Sequence, residues 1–125
     1  MSEKGLLRTL AAIGCRPGKE YRASEEFMDL VMPYDESVWA VPVRKGLVLA
    51  TSSLEPHELV KILEGKVSAY INTIVMGKRL CSCKRVMKKN CLLEVEEGKE
   101  GFCVGRVTLR IEGYLKNKGG VLKKA

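Results

Sequence analysis

Val38-Trp39-Ala40-Val41-Pro42-Val43-Arg44-Lys45-Gly46-Leu47-Val48-Leu49-Ala50-Thr51-Ser52-Ser53-Leu54-Glu55-Pro56 contains two apolar runs around a short Gly-containing connector. Such a pattern predicts a β-hairpin, with strands over 38–43 and 47–51. Both runs are almost wholly apolar, which predicts cover on both faces. Ser52 and Ser53 are candidate helix caps, with Glu55 three residues after Ser52 as in a capping box. Pro56 is tolerated in a first turn, where amides have no helical partner. Leu59, Val60, Leu63 and Val67 then supply a buried stripe, and Gly65 marks the helix end.

Working outward, the N-terminal side offers a strand over 6–13, stopped by Gly14-Cys15-Arg16-Pro17-Gly18. A helix over 20–32 follows, with Ala23, Phe27, Leu30 and Val31 on one face and Pro33 ending it. On the C-terminal side, 70–75 reads as a strand. Residues 84–93 fit a short basic helix or the arms of a hairpin equally well. Over 102–114, Cys103, Val107, Leu109 and Ile111 alternate with Arg106, Thr108, Arg110 and Glu112, as in a half-exposed strand. From Lys116 on, the chain reads as a basic mobile tail. The order β-α-β-β-α-β, then further strands, predicts an α/β (α+β) domain over 1–115. It would have a mixed sheet and a split β-α-β core.

At 125 residues the chain is long enough for one hydrophobic core without a metal or disulfide. No apolar run approaches the ~20 residues of a spanning helix, and no secretory leader is visible. The expected location is the cytoplasm. The formal net charge is +7. Residues 1–65 hold eight basic and ten acidic side chains, net −2; residues 66–125 hold fourteen and five, net +9. Lys78, Arg79, Lys84, Arg85, Lys88 and Lys89 fall in a stretch with no acid, and Lys116, Lys118, Lys123 and Lys124 form a second group. A one-signed surface of this kind attracts polyanions. The absence of Gln, with only three Asn, is a thermophile-like trend that the five Met oppose.

Catalytic motifs are missing. The sequence has no phosphate-loop, dinucleotide or nucleophile-elbow pattern. His57, the single histidine, has no base partner suggested by spacing. No catalytic residue, metal site or cofactor is expected. Cys81-x-Cys83 lacks the two-to-four-residue gap and second close pair of a structural zinc site. Cys81, Cys83, Cys91 and Cys103 are therefore read either as buried thiols or as disulfide candidates, without a pairing.

Gly18-Lys19-Glu20-Tyr21-Arg22-Ala23-Ser24-Glu25-Glu26 resembles the helix opening of THUMP-domain proteins. The segment 46–56, continuing to Leu63, resembles that family's apolar strand, its Ser-Leu-Asp/Glu-Pro turn and the next helix. Residues 102–113 are similar to its late basic strand. The nearest likeness is to archaeal stand-alone THUMP proteins related to the tRNA cytidine-acetylation adaptor. The resemblance spans about residues 5–115 and implies an RNA-binding domain, chiefly for tRNA, that presents its ligand to a modification enzyme. It also requires a helix within 84–98, where the basic pattern is unclear.

Phosphate contact is assigned to Lys78, Arg79, Lys84, Arg85, Lys88 and Lys89, with Arg106 and Arg110 behind them. A low aromatic content favours backbone contact over base stacking. Two alternatives stand beside this reading. One is a protein-interaction or structural domain with an apolar seam between two copies. The other is a small cysteine-dependent redox or metal protein.

Overall fold

In a computed structural model the chain is described over residues 8–82, 101–104 and 107–125, with side chains over 8–77 and 111–125. The elements are β1 (Thr9–Cys15), α1 (Glu20–Val31), β2 (Trp39–Arg44), β3 (Leu47–Ser52), α2 (Pro56–Leu63), β4 (Ile71–Ser82), β5 (Gly101–Val104), β6 (Val107–Lys118) and β7 (Val121–Lys124). The strand order is β2-β3-β1-β4-β6-β5, and β7 pairs with the C-terminal half of β6.

The α+β class and the split β-α-β core are as expected from the sequence. Every described pairing is antiparallel, in place of a mixed sheet. The reason is that the β2–β3 hairpin puts β3 between β1 and β2. Those two strands run the same way but never touch.

The core follows from strand alternation. Ala11, Ile13, Ala40, Val48, Ala50, Ile74, Met76 and Leu115 face the helices and are buried against Ala23, Phe27, Val31, Leu59 and Leu63. In α1 the buried Ala23, Phe27 and Val31 recur every four residues, which is one helical face. Fully burying a side chain such as Phe27 stabilises by roughly 1.5–3 kcal/mol. On the other face, Ala12, Leu47 and Val75 form a smaller buried cluster with Leu10, Leu49, Ile111 and Tyr114. At Gly113 a Cβ would lie 2.7 Å from Val60 Cγ2 and 2.9 Å from Met76 Cγ, so its missing side chain lets α2 settle on β6.

Three expectations need correction. First, β2 is an edge strand, so Trp39, Val41 and Val43 are exposed rather than covered. Pro42 is tolerated at such an edge because a missing ladder donor costs little there. Second, 102–114 is two strands, not one: Val104 pairs with Val107, so the chain reverses between them. Third, the C-terminal lysines do not sit on a mobile tail. Lys116–Lys124 belongs to the β6–β7 hairpin, anchored by fully buried Leu122. Leu122 N–H donates to Lys66 O at 2.9 Å, and Gly65 N–H donates to Leu122 O at 2.7 Å. Asn117 fixes the turn, donating to the carbonyls of Ser68 and Ile71 and accepting from Gly120 N–H.

Candidate nucleic-acid interface

Three carboxylates of α1 and the loop after it determine where the loops sit. Glu20 Oε2 accepts from Gly46 N–H at 2.7 Å and Gly18 N–H at 3.0 Å, clamping the β1–α1 loop to the β2–β3 turn. These backbone hydrogen bonds, that from Gly46 foremost, hold its pKa below the usual range. Gly46 has φ +74, a left-handed conformation that glycine adopts without penalty, and Cys15 N–H donates to its carbonyl at 3.0 Å. Glu26 accepts from Ser68 Oγ at 2.7 Å and from the amides of Ala69 and Tyr70, fixing the entry to β4. Burial alone would raise its pKa, but these donors outweigh burial and lower it.

Asp35 is the most enclosed of the three. Oδ2 accepts from Ser52 Oγ at 2.6 Å and Ser53 N–H at 2.9 Å; Oδ1 accepts from Ser37 Oγ, Ser37 N–H and Ser53 Oγ. Burial pushes this carboxyl upward, and the serine donors overcome it and hold it well below the carboxylate range. Ser52 and Ser53 thus serve Asp35 rather than capping α2. The cap is Glu55, in a capping box where its N–H donates to Glu58 Oε1 at 2.9 Å.

These contacts also reinterpret the motif residues. Gly18, Glu20, Ala23, Glu26, Gly46, Ser52, Ser53 and Pro56 hold loops, helix starts and core. The stretches that carry the family likeness therefore encode architecture more than ligand contact.

With the loops fixed, register assembles cations along one end of the sheet. Arg44 pairs with Leu47, Leu47 with Gly14, Gly14 with Thr73, Thr73 with Lys116 and Lys116 with Lys123. This row crosses six strands, about 24 Å at the usual spacing. Arg44, Lys116 and Lys123 on it are exposed, as are Arg16, Lys19, Lys45 and Lys118 in the adjoining loops and strand. Three acids nearby are engaged: Glu20 and Glu26 by backbone amides, and Glu64 by Lys124 at 3.9 Å. The other end of the sheet carries Asp35, Glu36, Glu55 and Glu58, with Arg8 donating to Glu55 Oε2 at 3.2 Å.

The residues assigned to phosphate contact from sequence fall elsewhere. Lys78 and Arg79 lie on β4, and Lys78 pairs with Arg110 of β6. That position is five residues along β4 from Thr73, about 17 Å from the Lys116 row. Lys84, Arg85, Lys88, Lys89 and Arg106 lie outside the described residues, as does the helix-or-hairpin question over 84–97.

Cys81 and Cys103 both pair with Thr108, from opposite sides of β6. Cys83 and Cys91 lie outside the described residues. Cys15 is a buried free thiol whose pKa burial raises, with a smaller push from Glu20. A raised pKa keeps the thiol protonated and unreactive. His57 is exposed at the start of α2, beside a groove of about 430 Å³ lined by Lys61, Tyr114 and Lys124.

Sequence reading missed Arg16, Lys19, Arg44 and Lys45, because they sit in the half of the chain with net negative charge. The available signal was turn chemistry: Arg16-Pro17-Gly18-Lys19 and Arg44-Lys45-Gly46 are both basic loops, and β1 and β3 are neighbours. Comparison with protein-family models, curated proteins and solved structures finds no match in any of the three. Among the described residues, no helix is long and apolar enough to cross a membrane.

Proposed function

We propose that the chain is a cytoplasmic RNA-binding accessory domain that holds structured RNA, tRNA in the first place, for a modification enzyme. It is a binder and not the catalyst. The observation that carries this reading is the row from Arg44 to Lys123. It supports phosphate contact because its cations are exposed while Glu20, Glu26 and Glu64 have partners within the protein. A duplex has one phosphate charge per ~1.7 Å of axis, so ~24 Å of rim faces several phosphates. The pairing of Lys78 with Arg110 supports a second basic position, with Arg79 next to it in sequence, and an RNA long enough to reach both would bind more strongly.

The test is binding of purified protein to tRNA at ~50 and ~200 mM salt, with duplex DNA as competitor. The reading expects salt-sensitive binding that prefers tRNA. Equal affinity for both nucleic acids reduces the rim to a nonspecific cationic surface, and absence of binding at the lower salt ends the RNA reading.

One observation favours the protein-interaction alternative: Trp39, Val41 and Val43 are exposed along the β2 edge. Pro42 within that strand, and the irregularity between Pro42 and Arg44, disfavour strand addition at this edge. Sedimentation at rising concentration tests this alternative, which requires a dimer seated on Trp39.

A further inference from the structure

Just past the C-terminus of α1, Pro33, Tyr34, Asp35, Glu36, Ser37 and Ser53 line a pocket of about 370 Å³. It lies at the far end of the sheet from the basic row. Leu47 and Ser52 are the first and last residues of β3, about 17 Å apart, and the row passes through Leu47 while Asp35 holds Ser52. Tyr34 is 54% exposed, on a loop that is held in place. The N–H groups of Tyr34 and Asp35 donate to Val31 O at 2.8 and 2.9 Å, and Val38 N–H donates to Asp35 O at 3.2 Å. An exposed aromatic ring has a negative face that attracts a cation.

The charge around this ring is one-signed. Asp35 is buried and ionised, and its five described donors are neutral hydroxyls and amides. Its hydrogen bonds are satisfied, but they leave its negative charge in place. Glu36 is exposed next to it. Among the described residues no lysine or arginine lines the pocket. Arg8, whose N–H donates to Ser52 O, turns its guanidinium to Glu55. The last turn of α1 carries no basic residue, so the negative end of the helix adds to the same field. Salt screens over about 8 Å at physiological strength, so the distant basic row does not cancel that field.

We infer that this pocket binds a guanidinium or ammonium group on an apolar stem, its charge between the Tyr34 ring and Glu36 and its stem against Pro33. A volume of this size lies within the range of small-ligand sites. The ring face supplies attraction that a carboxylate alone does not, and it favours the planar guanidinium of arginine. The inference does not depend on the RNA reading.

The experiment titrates N-acetylarginine amide into the full chain and follows the backbone amide resonances of Glu36 and Ser37, with the citrulline amide as control. Citrulline keeps the shape of arginine and lacks its charge. Arginine should give saturable shifts in the millimolar range, and citrulline should bind about 10-fold more weakly. Tyr34→Ala should abolish the shifts and Tyr34→Phe should retain them, because the ring face and not the hydroxyl meets the cation. Glu36→Gln should weaken binding several-fold. Both side chains are exposed, so these variants should keep the denaturation midpoint of wild type. A peptide carrying several arginines separates the two sources of such a group. Tighter binding than the single amide assigns the pocket to a segment of a partner protein, and equal binding assigns it to a free small cation.

The inference is overturned if arginine amide gives no saturable shift, if citrulline binds equally well, or if Tyr34→Ala leaves the shifts intact. In each of these cases the RNA reading stands.

Discussion

Lys116 stands directly across from Lys123 in the β6–β7 ladder, and both ammonium groups are exposed. Like charges in directly opposite positions destabilise a sheet, by up to about 1 kcal/mol. Retaining such a pair is costly for the fold alone and useful for holding a polyanion. Lys116→Glu replaces repulsion with an opposite-charge pair. The expected outcome is a small rise in melting temperature together with weaker tRNA binding. Calorimetry and a binding titration on the same sample separate lost contact from lost structure.

Asp35 joins the loop between α1 and β2 to the end of β3 through Ser37, Ser52 and Ser53. Asp35→Asn removes the charge that five donors address, and hydrogen bonds to charged groups contribute about 1.5–3 kcal/mol each in favourable cases. A destabilisation of about 2–4 kcal/mol is expected, read as a lower denaturant midpoint at unchanged slope.

The same carboxylates set the response to acid. Glu20, Glu26 and Asp35 have lower pKa values folded than unfolded. As pH falls, the unfolded chain therefore takes up protons first. Stability is fully present above about pH 5 and falls as pH drops through about 4 and below, where unfolded Asp and Glu titrate. Denaturation midpoints between pH 7 and 3 check this, and Asp35→Asn should flatten the acid limb.

How much of this was legible in the sequence differs from element to element. Helix α1 and the β2–β3 hairpin came through because period and turn signals agree locally: Ala23, Phe27 and Val31 at four-residue spacing, and Gly46 between two apolar runs. The hairpin reversal between Val104 and Val107 did not: Cys103 shares a face with Thr108, so parity flips across the reversal, whereas the apolar residues Cys103, Val107 and Leu109 keep one parity in the sequence. The C-terminal hairpin was hidden by its lysines. Its single anchor, Leu122, is one residue among many polar ones, and its hold on Lys66 and Gly65 is a backbone contact that composition does not show. The rim was hidden for a related reason. Its cations lie far apart in sequence and meet only through strand order.

Close approach supplies a further test. At Gly46, an added Cβ meets Cys15 O at 3.1 Å and the left-handed backbone disfavours any L side chain. Gly46→Ala should destabilise by about 1–2 kcal/mol from backbone strain. Gly113→Ala should cost about 1–3 kcal/mol by overpacking Val60 and Met76. Urea titration of both variants reads the loss. Gly46→Ala should in addition weaken RNA binding, because it disturbs the loops that carry Arg16, Lys19 and Lys45.

The measurement that tests the central claim most directly is the salt dependence of tRNA affinity for wild type and for Arg44→Gln/Lys123→Gln, which removes one cation from each end of the row. If the rim lies along the phosphate backbone, each lost contact lowers the log–log slope by about 0.7–0.9, so the double variant loses about 1.4–1.8 while its fold is unchanged. An identical slope and affinity in the variant would contradict the account and leave the second basic position, around Lys78 and Arg110, to explain any binding that wild type shows.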